Sequence, residues 1–330
     1  MRSLARAFTT ATVSRATSHA PLHETESSAS SALAAALRVV AVIPARAGST
    51  RLPNKPLANL TPDLETKWTV IDAVVSAAMD AGELDDVIVA TDSPDIAAAA
   101  DAAGAHAVLT PADLPTGSDR VHHALRQLHA SRHPSVRSLA GVVNLQGDEP
   151  FVDPHLIDAL AAELRAAAAA TAHSHASAPD IVTAAVELPD GIAPPDLDMV
   201  SVVVDHASRA LYFSRAALPA AAPHADTASH PSPPPFLAHL GIYGYTLPAL
   251  DAFVAAPRPW IEQREMLEQL RALYLGLHIH VVTTTPPNTL FPWPPIAIDT
   301  PDDLHRARSW LASRNQPATS GGPAPASITS

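Results

Sequence analysis

Cysteine is absent from the 330 residues. That excludes disulfides, thiolate nucleophiles and cysteine-held zinc or iron–sulfur sites. Aromatic residues are scarce, at 4%. The 47% hydrophobic content therefore rests mostly on Ala, Val and Leu, yet a chain this apolar is not disordered throughout. Basic residues are outnumbered, with a formal net charge of −12, which argues against a sequence-independent nucleic-acid partner. No run of ~18 apolar residues is free of charge and proline, so no transmembrane segment is expected. Proline is the opposite case. Its 33 residues are about twice the usual ~5% share and promise long irregular segments.

The two ends differ from the middle. Arg2, Arg6 and Arg15 precede the first acid, Glu24, and Ser, Thr and Ala fill the gaps. Residues 1–38 read as an organelle transit peptide or disordered leader. Residues 314–330 lack apolar periodicity and read as a disordered tail. Between them, residues 39–313 form the folded unit. Short apolar runs predict strands at Val39–Ile43, Asp86–Thr91, His106–Leu109 and Gly141–Leu145. Helices are predicted at Val70–Ala81, Asp95–Ala103, Val121–Ala130 and Pro154–Ala170. This alternation implies an α/β fold with a mostly parallel sheet covered on both faces. The second half is less regular. Strands are predicted at Val182–Leu188, Met199–Val204, Ala210–Phe213, Leu240–Tyr245 and His278–Thr283. One amphipathic helix is expected over Ile261–Leu275, with Met266, Leu267, Leu270 and Leu273 on its apolar face. Thr300 is the expected N-cap of a final helix, Pro301–Ala312.

The strongest chemical signal is the loop IPARAGSTRLPNKPL, Ile43–Leu57. It follows a buried strand, at the carboxyl edge of the sheet where such folds bind ligands. Gly48, Ser49 and Thr50 offer close backbone approach, and Arg46, Arg51 and Lys55 supply three cations within ten residues. A basic loop on an acidic chain calls for a polyanion such as a triphosphate. It is not a Walker A loop, and Gly48 standing alone is not a dinucleotide fingerprint.

The loop resembles that of the sugar-acid cytidylyltransferases, in particular the 3-deoxy-manno-octulosonate (Kdo) cytidylyltransferases. The resemblance continues in order through VIVATD (Val87–Asp92), TPADLPTGSDRV (Thr110–Val121), NLQGDEP (Asn144–Pro150) and ALYFSRAALP (Ala210–Pro219). It then runs through HLGIYGY (His239–Tyr245), EMLEQLR (Glu265–Arg271) and IDTPDDL (Ile298–Leu304). It implies a Rossmann-like nucleotide-diphospho-sugar transferase fold with a smaller inserted region for sugar binding and homodimer formation. It also implies Mg²⁺-dependent transfer of CMP from CTP to the anomeric hydroxyl of Kdo, with pyrophosphate released and no covalent intermediate. Arg46, Arg51 and Lys55 are then expected on the triphosphate, and Asp148 and Asp299 on the Mg²⁺. Ala45, Thr116, Gly117, Ser118 and Gln146 are expected at the nucleotide, Gly48 and Ser49 at its phosphates. Arg215, His239, Tyr243, Glu268 and Gln269, with Gln146, are expected at the sugar acid. Glu268 and Gln269, adjacent on one helix, would point about 100° apart. Plant relatives favour the mitochondrion for the leader, with plastid second and cytoplasm if it is no signal.

Departures from the family pattern are local. Asn54 replaces a common Gly, and Asn tolerates a left-handed backbone best after Gly. Leu114, Ser201 and Ala297 stand where His, Lys and Gly are frequent, so Ser201 removes a cation. The stretches 132–139, 168–179, 220–235 and 288–293 read as surface inserts. His122–His123, His173-x-His175 and His278-x-His280 lack a partner carboxylate spacing and read as ordinary histidines. Two competing readings are an N-acylneuraminate cytidylyltransferase and an inactive relative acting as a scaffold.

Overall fold

The computed structural model describes residues 37–62, 65, 67–172, 178–189, 192–194, 199–220, 235–285 and 292–315. The expectations for leader residues 1–36, for 316–330 of the tail and for His173 and His175 lie outside the described residues, as does most of the inserts at 220–235 and 288–293.

The α/β architecture expected from the alternation is present. Strands β1 (Arg38–Ala45), β2 (Asp86–Thr91), β3 (His106–Leu109) and β4 (Leu139–Asn144) lie in the order β3-β2-β1-β4, all parallel. Val39, Val40, Ala41, Val42 and Ile43 are all wholly buried, as a strand covered on both faces requires. Beyond β4 the sheet continues through β8 (Leu237–Thr246), β5 (Ile181–Glu187) and β9 (Ile279–Thr284). β8 runs antiparallel to both its neighbours, while β5 and β9 are parallel. A hairpin of β6 (Val200–Val204) and β7 (Ala210–Ser214) branches off β8.

Helices α1 (Val70–Asp80), α2 (Pro94–Ala103), α3 (Gly117–Ala130) and α4 (Pro154–Ala172) cover the parallel half. Their starts carry local signals. Thr69 and Asp72 form a reciprocal capping box, and Ser93 caps α2. α3 begins four residues before its expected start. Thr116 accepts from the backbone N–H of Asp119, which draws Gly117 and Ser118 into the first turn. α5 (Leu247–Ala255) forms where no element is predicted, with Pro248 near its first position.

The expected continuous helix over Ile261–Leu275 is two short helices, α6 (Trp260–Glu265) and α7 (Gln269–Tyr274). Met266 between them is left-handed (φ 55°) and 74% exposed, not on an apolar face. The final helix, α8 (Pro301–Asn315), starts at Thr300, whose hydroxyl accepts from Asp303 N–H and donates to its carboxylate. Those contacts and Arg306 outweigh burial and hold the Asp303 carboxyl at about 2.

Separate apolar layers line the two sheet faces. A third cluster joins Leu60, Val70 and Ala73 to Ile296, Ile298, Leu304 and Ala307, so the C-terminal segment packs against the start of α1. The 132–139 insert is more integrated than a surface loop. Ser135 and Val136 are buried in a 3₁₀ turn, and the carbonyl of Pro134 accepts from Arg38 at 2.7 Å.

Candidate active site

The site is assembled at the carboxyl ends of β1 and β4. The loop after β1 is shaped by its own hydrogen bonds, Ser49 N–H to Ala47 O at 2.9 Å and Asn54 N–H to Ala47 O at 3.3 Å. Asn54 is left-handed (φ 51°, ψ 34°), the conformation for which Asn substitutes best for Gly. It opens a 3₁₀ turn, Lys55–Leu57, that directs Lys55 inward.

Lys55 Nζ donates to Asp148 Oδ2 at 2.6 Å and to Asp299 Oδ1 at 2.9 Å. Arg51 pairs with Asp299 Oδ2 at 3.0 Å. Four residues from three distant segments therefore meet at one point. A backbone bond from Ile298 N–H to Asp148 O at 2.8 Å sets the two aspartate segments side by side. Burial alone would lower the Lys55 pKa, but the Asp148 and Asp299 carboxylates outweigh it and raise it. Gly147 is required here by close approach, since a Cβ on it would lie 2.7 Å from Pro44 O. Arg46 is exposed and makes no ion pair among the described residues. At Gly48 a Cβ would meet nothing within 4 Å, so the fold itself does not demand glycine there.

Gln146, two residues before Asp148 in the chain, lines a cavity of about 250 Å³. Gly117, Ser118 and Gln146 line it together with Tyr243, Glu268 and Gln269. It thus joins residues expected at the nucleotide to residues expected at the sugar. Ser118 Oγ donates to Glu268 Oε2 at 3.2 Å across the two sets. A Cβ on Gly117 would be 3.2 Å from Pro44 Cγ, and Ala45 follows Pro44 as the last residue of β1. No Lys or Arg lines this cavity. Its polar groups are hydroxyls, amides and one carboxyl. Burial raises the Glu268 carboxyl, with Arg271 and Ser118 opposing. Burial likewise holds the Tyr243 and Tyr245 hydroxyls protonated.

Two expected sugar residues are not on the cavity wall. His239 is 7% exposed and shares a 3.0 Å hydrogen bond with Thr183 Oγ1, edge-on to Phe213. It backs Tyr243, with ring centroids 5.4 Å apart. Burial drives its pKa down to about 3. Arg215 is bound to Glu265, Nε to the carbonyl oxygen at 2.9 Å and N–H to the carboxylate at 3.2 Å. Glu268 and Gln269 both line the cavity, just after the break at Met266. Ser201 is fully buried, donating to Ala216 O at 2.7 Å, so it stitches β6 to the segment after β7.

Several residues inside the quoted motifs carry roles that the motifs alone did not suggest. Asp92 accepts from Ala47 N–H at 2.9 Å and faces Arg120 at 3.5 Å, tying the loop after β1 to the end of β2. Burial lowers the Arg120 pKa against the pull of Asp92, and Arg46 adds to the lowering. Burial and the adjacent Asp148 push the Glu149 carboxyl up to about 8. Asn144, Tyr245, Met266 and Leu267 also line the cavity. His122 pairs with Asp251 at 2.8 Å, and neither is among the cavity's lining residues.

The cytidylyltransferase family model matches residues 40–279. Curated relatives are 3-deoxy-manno-octulosonate cytidylyltransferases. That of Bdellovibrio bacteriovorus is 39% identical over 84% of this chain and 99% of its own. That of an Anaeromyxobacter species is 41% identical over 84% of this chain and 98% of its own. The chain belongs to the 3-deoxy-manno-octulosonate cytidylyltransferase family. It is a nucleotidyltransferase. A solved CMP:2-keto-3-deoxy-manno-octonic acid synthetase complexed with CTP superimposes with a TM-score of 0.64 at 30% identity, covering 84% of this chain and 99% of that one. The 4-diphosphocytidyl-2C-methyl-D-erythritol synthase of Anaerococcus prevotii, at 14% identity and a TM-score of 0.50, shares the fold. Asp299 lies beyond the residues matched by the family model.

Proposed function

We propose that this enzyme transfers CMP from CTP to the anomeric hydroxyl of Kdo. The observation that carries the reading is the meeting of Arg51, Lys55, Asp148 and Asp299, together with a cavity without cations. The charged cluster suits the triphosphate, and the hydroxyl- and amide-lined cavity suits a polyol. Named relatives act on this sugar acid.

In the proposed reaction the anomeric oxygen forms a bond to the α-phosphorus as the bond to pyrophosphate breaks. Negative charge spreads over the phosphate oxygens in the transition state, so catalysis is chiefly positioning and cationic stabilisation. Arg46, Arg51 and Lys55 bear on the triphosphate and the departing pyrophosphate. The first turn of α3 at Gly117 and Ser118 presents backbone N–H groups that have no intrahelical acceptor, a setting that favours an anionic nucleotide. Tyr243, Glu268, Gln269 and Gln146 orient the sugar acid.

Asp148 and Asp299 fit a divalent cation. They already share one positive charge, the Lys55 ammonium. Two carboxylates completed by phosphate oxygens and water are what Mg²⁺ favours. Bound there, Mg²⁺ would neutralise phosphate charge and make the sugar hydroxyl more acidic. With a cation on the carboxylates, Lys55 would be free to bear on the phosphate oxygens.

The decisive assay is pyrophosphate release from CTP and Mg²⁺ with either Kdo or N-acetylneuraminate. Kdo-dependent release is expected. Release with neuraminate alone overturns the assignment, and release with neither in a folded sample favours a scaffold. Asp148→Asn should abolish turnover and leave the melting temperature near that of the parent enzyme.

Two further readings belong with this one. Homodimer formation through the second half is supported by the exposed Leu211, Trp260, Tyr274 and Leu275. Sedimentation equilibrium showing a monomer at micromolar concentration counts against it. Mitochondrial targeting rests on the composition of residues 1–38. A fluorescent fusion of that leader that stays cytosolic refutes it.

A further inference from the structure

Glu262 and Arg271 have no role in the chemistry above, yet both are only 4% exposed. Burying two charges is costly unless geometry and hydrogen bonds are nearly complete. Here they are. Arg271 donates from Nε to Glu262 Oε2 and from its terminal nitrogen to Oε1, both at 2.7 Å. The other terminal nitrogen donates to Phe253 O at 3.2 Å, and the guanidinium lies 4.4 Å over the Phe253 ring. One side chain on α7 thus grips α6 and α5 together.

What lies between the two charged residues gives the grip its meaning. The chain leaves α6 at Met266 in a left-handed conformation and re-enters a helix at Gln269. The hook Met266–Gln269 supplies four consecutive cavity-lining residues. Helices of six residues do not hold themselves, and the break removes the continuity that would otherwise fix the hook's direction. Its other ties are single hydrogen bonds: Met266 N–H to Glu262 O, Leu267 N–H to Glu262 O at 3.4 Å, Leu270 N–H to Leu267 O at 3.2 Å, Arg271 N–H to Glu268 O at 2.9 Å and Ser118 Oγ to Glu268 at 3.2 Å.

We propose that the Glu262–Arg271 pair is the positioning element of the acceptor half of the site, fixing the hook so that Glu268 and Gln269 face the sugar acid. This deepens the function proposed above and rests on it. Neither residue touches the cavity, so neither is catalytic. A buried ion pair contributes little net stability but can select one geometry among close alternatives. The fork matters as much as the charge, because only Arg offers two parallel donors to one carboxylate.

The test is a kinetic split. Wild-type turnover is measured first with Kdo and with N-acetylneuraminate, and the acceptor that works is carried forward, so the failure of the Kdo reading and that of the clamp are separate results. Glu262→Gln and Arg271→Lys are expected to raise the acceptor KM about tenfold or more while the CTP KM stays within about twofold. Arg271→Lys keeps the charge without the fork and should retain most of the defect. Equal movement of both KM values, or unchanged KM values with kcat falling in step with the folded fraction, overturns the proposal. If a single variant does not fold, Glu262→Leu/Arg271→Met removes both charges, an exchange that commonly preserves stability. That double variant should melt near the wild type and still show the acceptor-specific rise. A wild-type acceptor KM in it refutes the clamp.

Discussion

Lys55 is the residue on which the charged half of the site turns. It holds Asp148 and Asp299 together through one ammonium, and each carboxylate raises its pKa against the effect of burial. Lys55→Met removes the counter-charge and leaves two carboxylates facing each other. Turnover is expected to fall by roughly 10²- to 10³-fold, the usual cost of one charge-stabilising group. Mg²⁺ should then raise the variant's Tm more than that of the wild type, because no ammonium competes for the carboxylates. Scanning fluorimetry with and without the metal reads this directly. Its neighbour Asn54 makes a subtler case. With φ at 51°, Asn54→Gly should change stability by less than about 0.5 kcal/mol. Asn54→Val should cost about 1–2 kcal/mol, because a β-branched residue resists the left-handed region. Urea unfolding of the two variants checks the contrast.

At the scale of elements, the site depends on a close backbone approach. The turn after β4 packs against the end of β1 at Pro44 and Ala45, and Gly147 is where they touch. Gly147→Ala must displace the turn that carries Asp148. Catalytic efficiency is expected to fall more than about tenfold with KM for CTP affected, since small misplacements of catalytic groups are expensive. Steady-state kinetics beside a thermal melt separates this from unfolding. The same scale shows what was legible in the sequence. The strands of the parallel half announce themselves as short Val- and Ile-rich runs, and α1, α2 and α4 by period and caps. Thr300 was readable as a cap for the same local reason. The break at Met266 was not readable, because EMLEQLR carries helical spacing with no Gly or Pro. The break coincides with tertiary contacts that local spacing does not show, Arg271 reaching back to Glu262 and across to Phe253. The N-terminal turn of α3 was hidden behind Gly117 and Ser118, which look like loop residues. The Asp148–Asp299 pairing came from the family resemblance, because no local pattern links residues so far apart. The roles of Asp92 and Arg120 at the loop after β1 needed coordinates for the same reason.

For the whole molecule, one buried histidine should shape the response to acid. His239 stays neutral in the fold down to about pH 3, because burial penalises its charged form. In the unfolded chain it titrates near its ordinary value of 6.5. Between those values the unfolded state holds the extra proton, so its contribution to stability is complete above pH 6.5 and is lost as pH falls. The slope is at most about 1.4 kcal/mol per pH unit. His239→Gln should flatten the decline in unfolding free energy between pH 7 and pH 5, measured by urea titration at each pH. A final consequence concerns the order in which the chain is made. Asp299 and Ile298 sit in the C-terminal segment, and the bond from Ile298 to Asp148 draws that segment into place. The three cations of the phosphate loop and the first carboxylate are synthesised long before it. A nascent chain can therefore build its sheet on the ribosome and still lack a working centre. Only when the segment leading into α8 docks against α1 does Asp299 reach Lys55, so the charged cluster closes after the sheet that carries it has been synthesised.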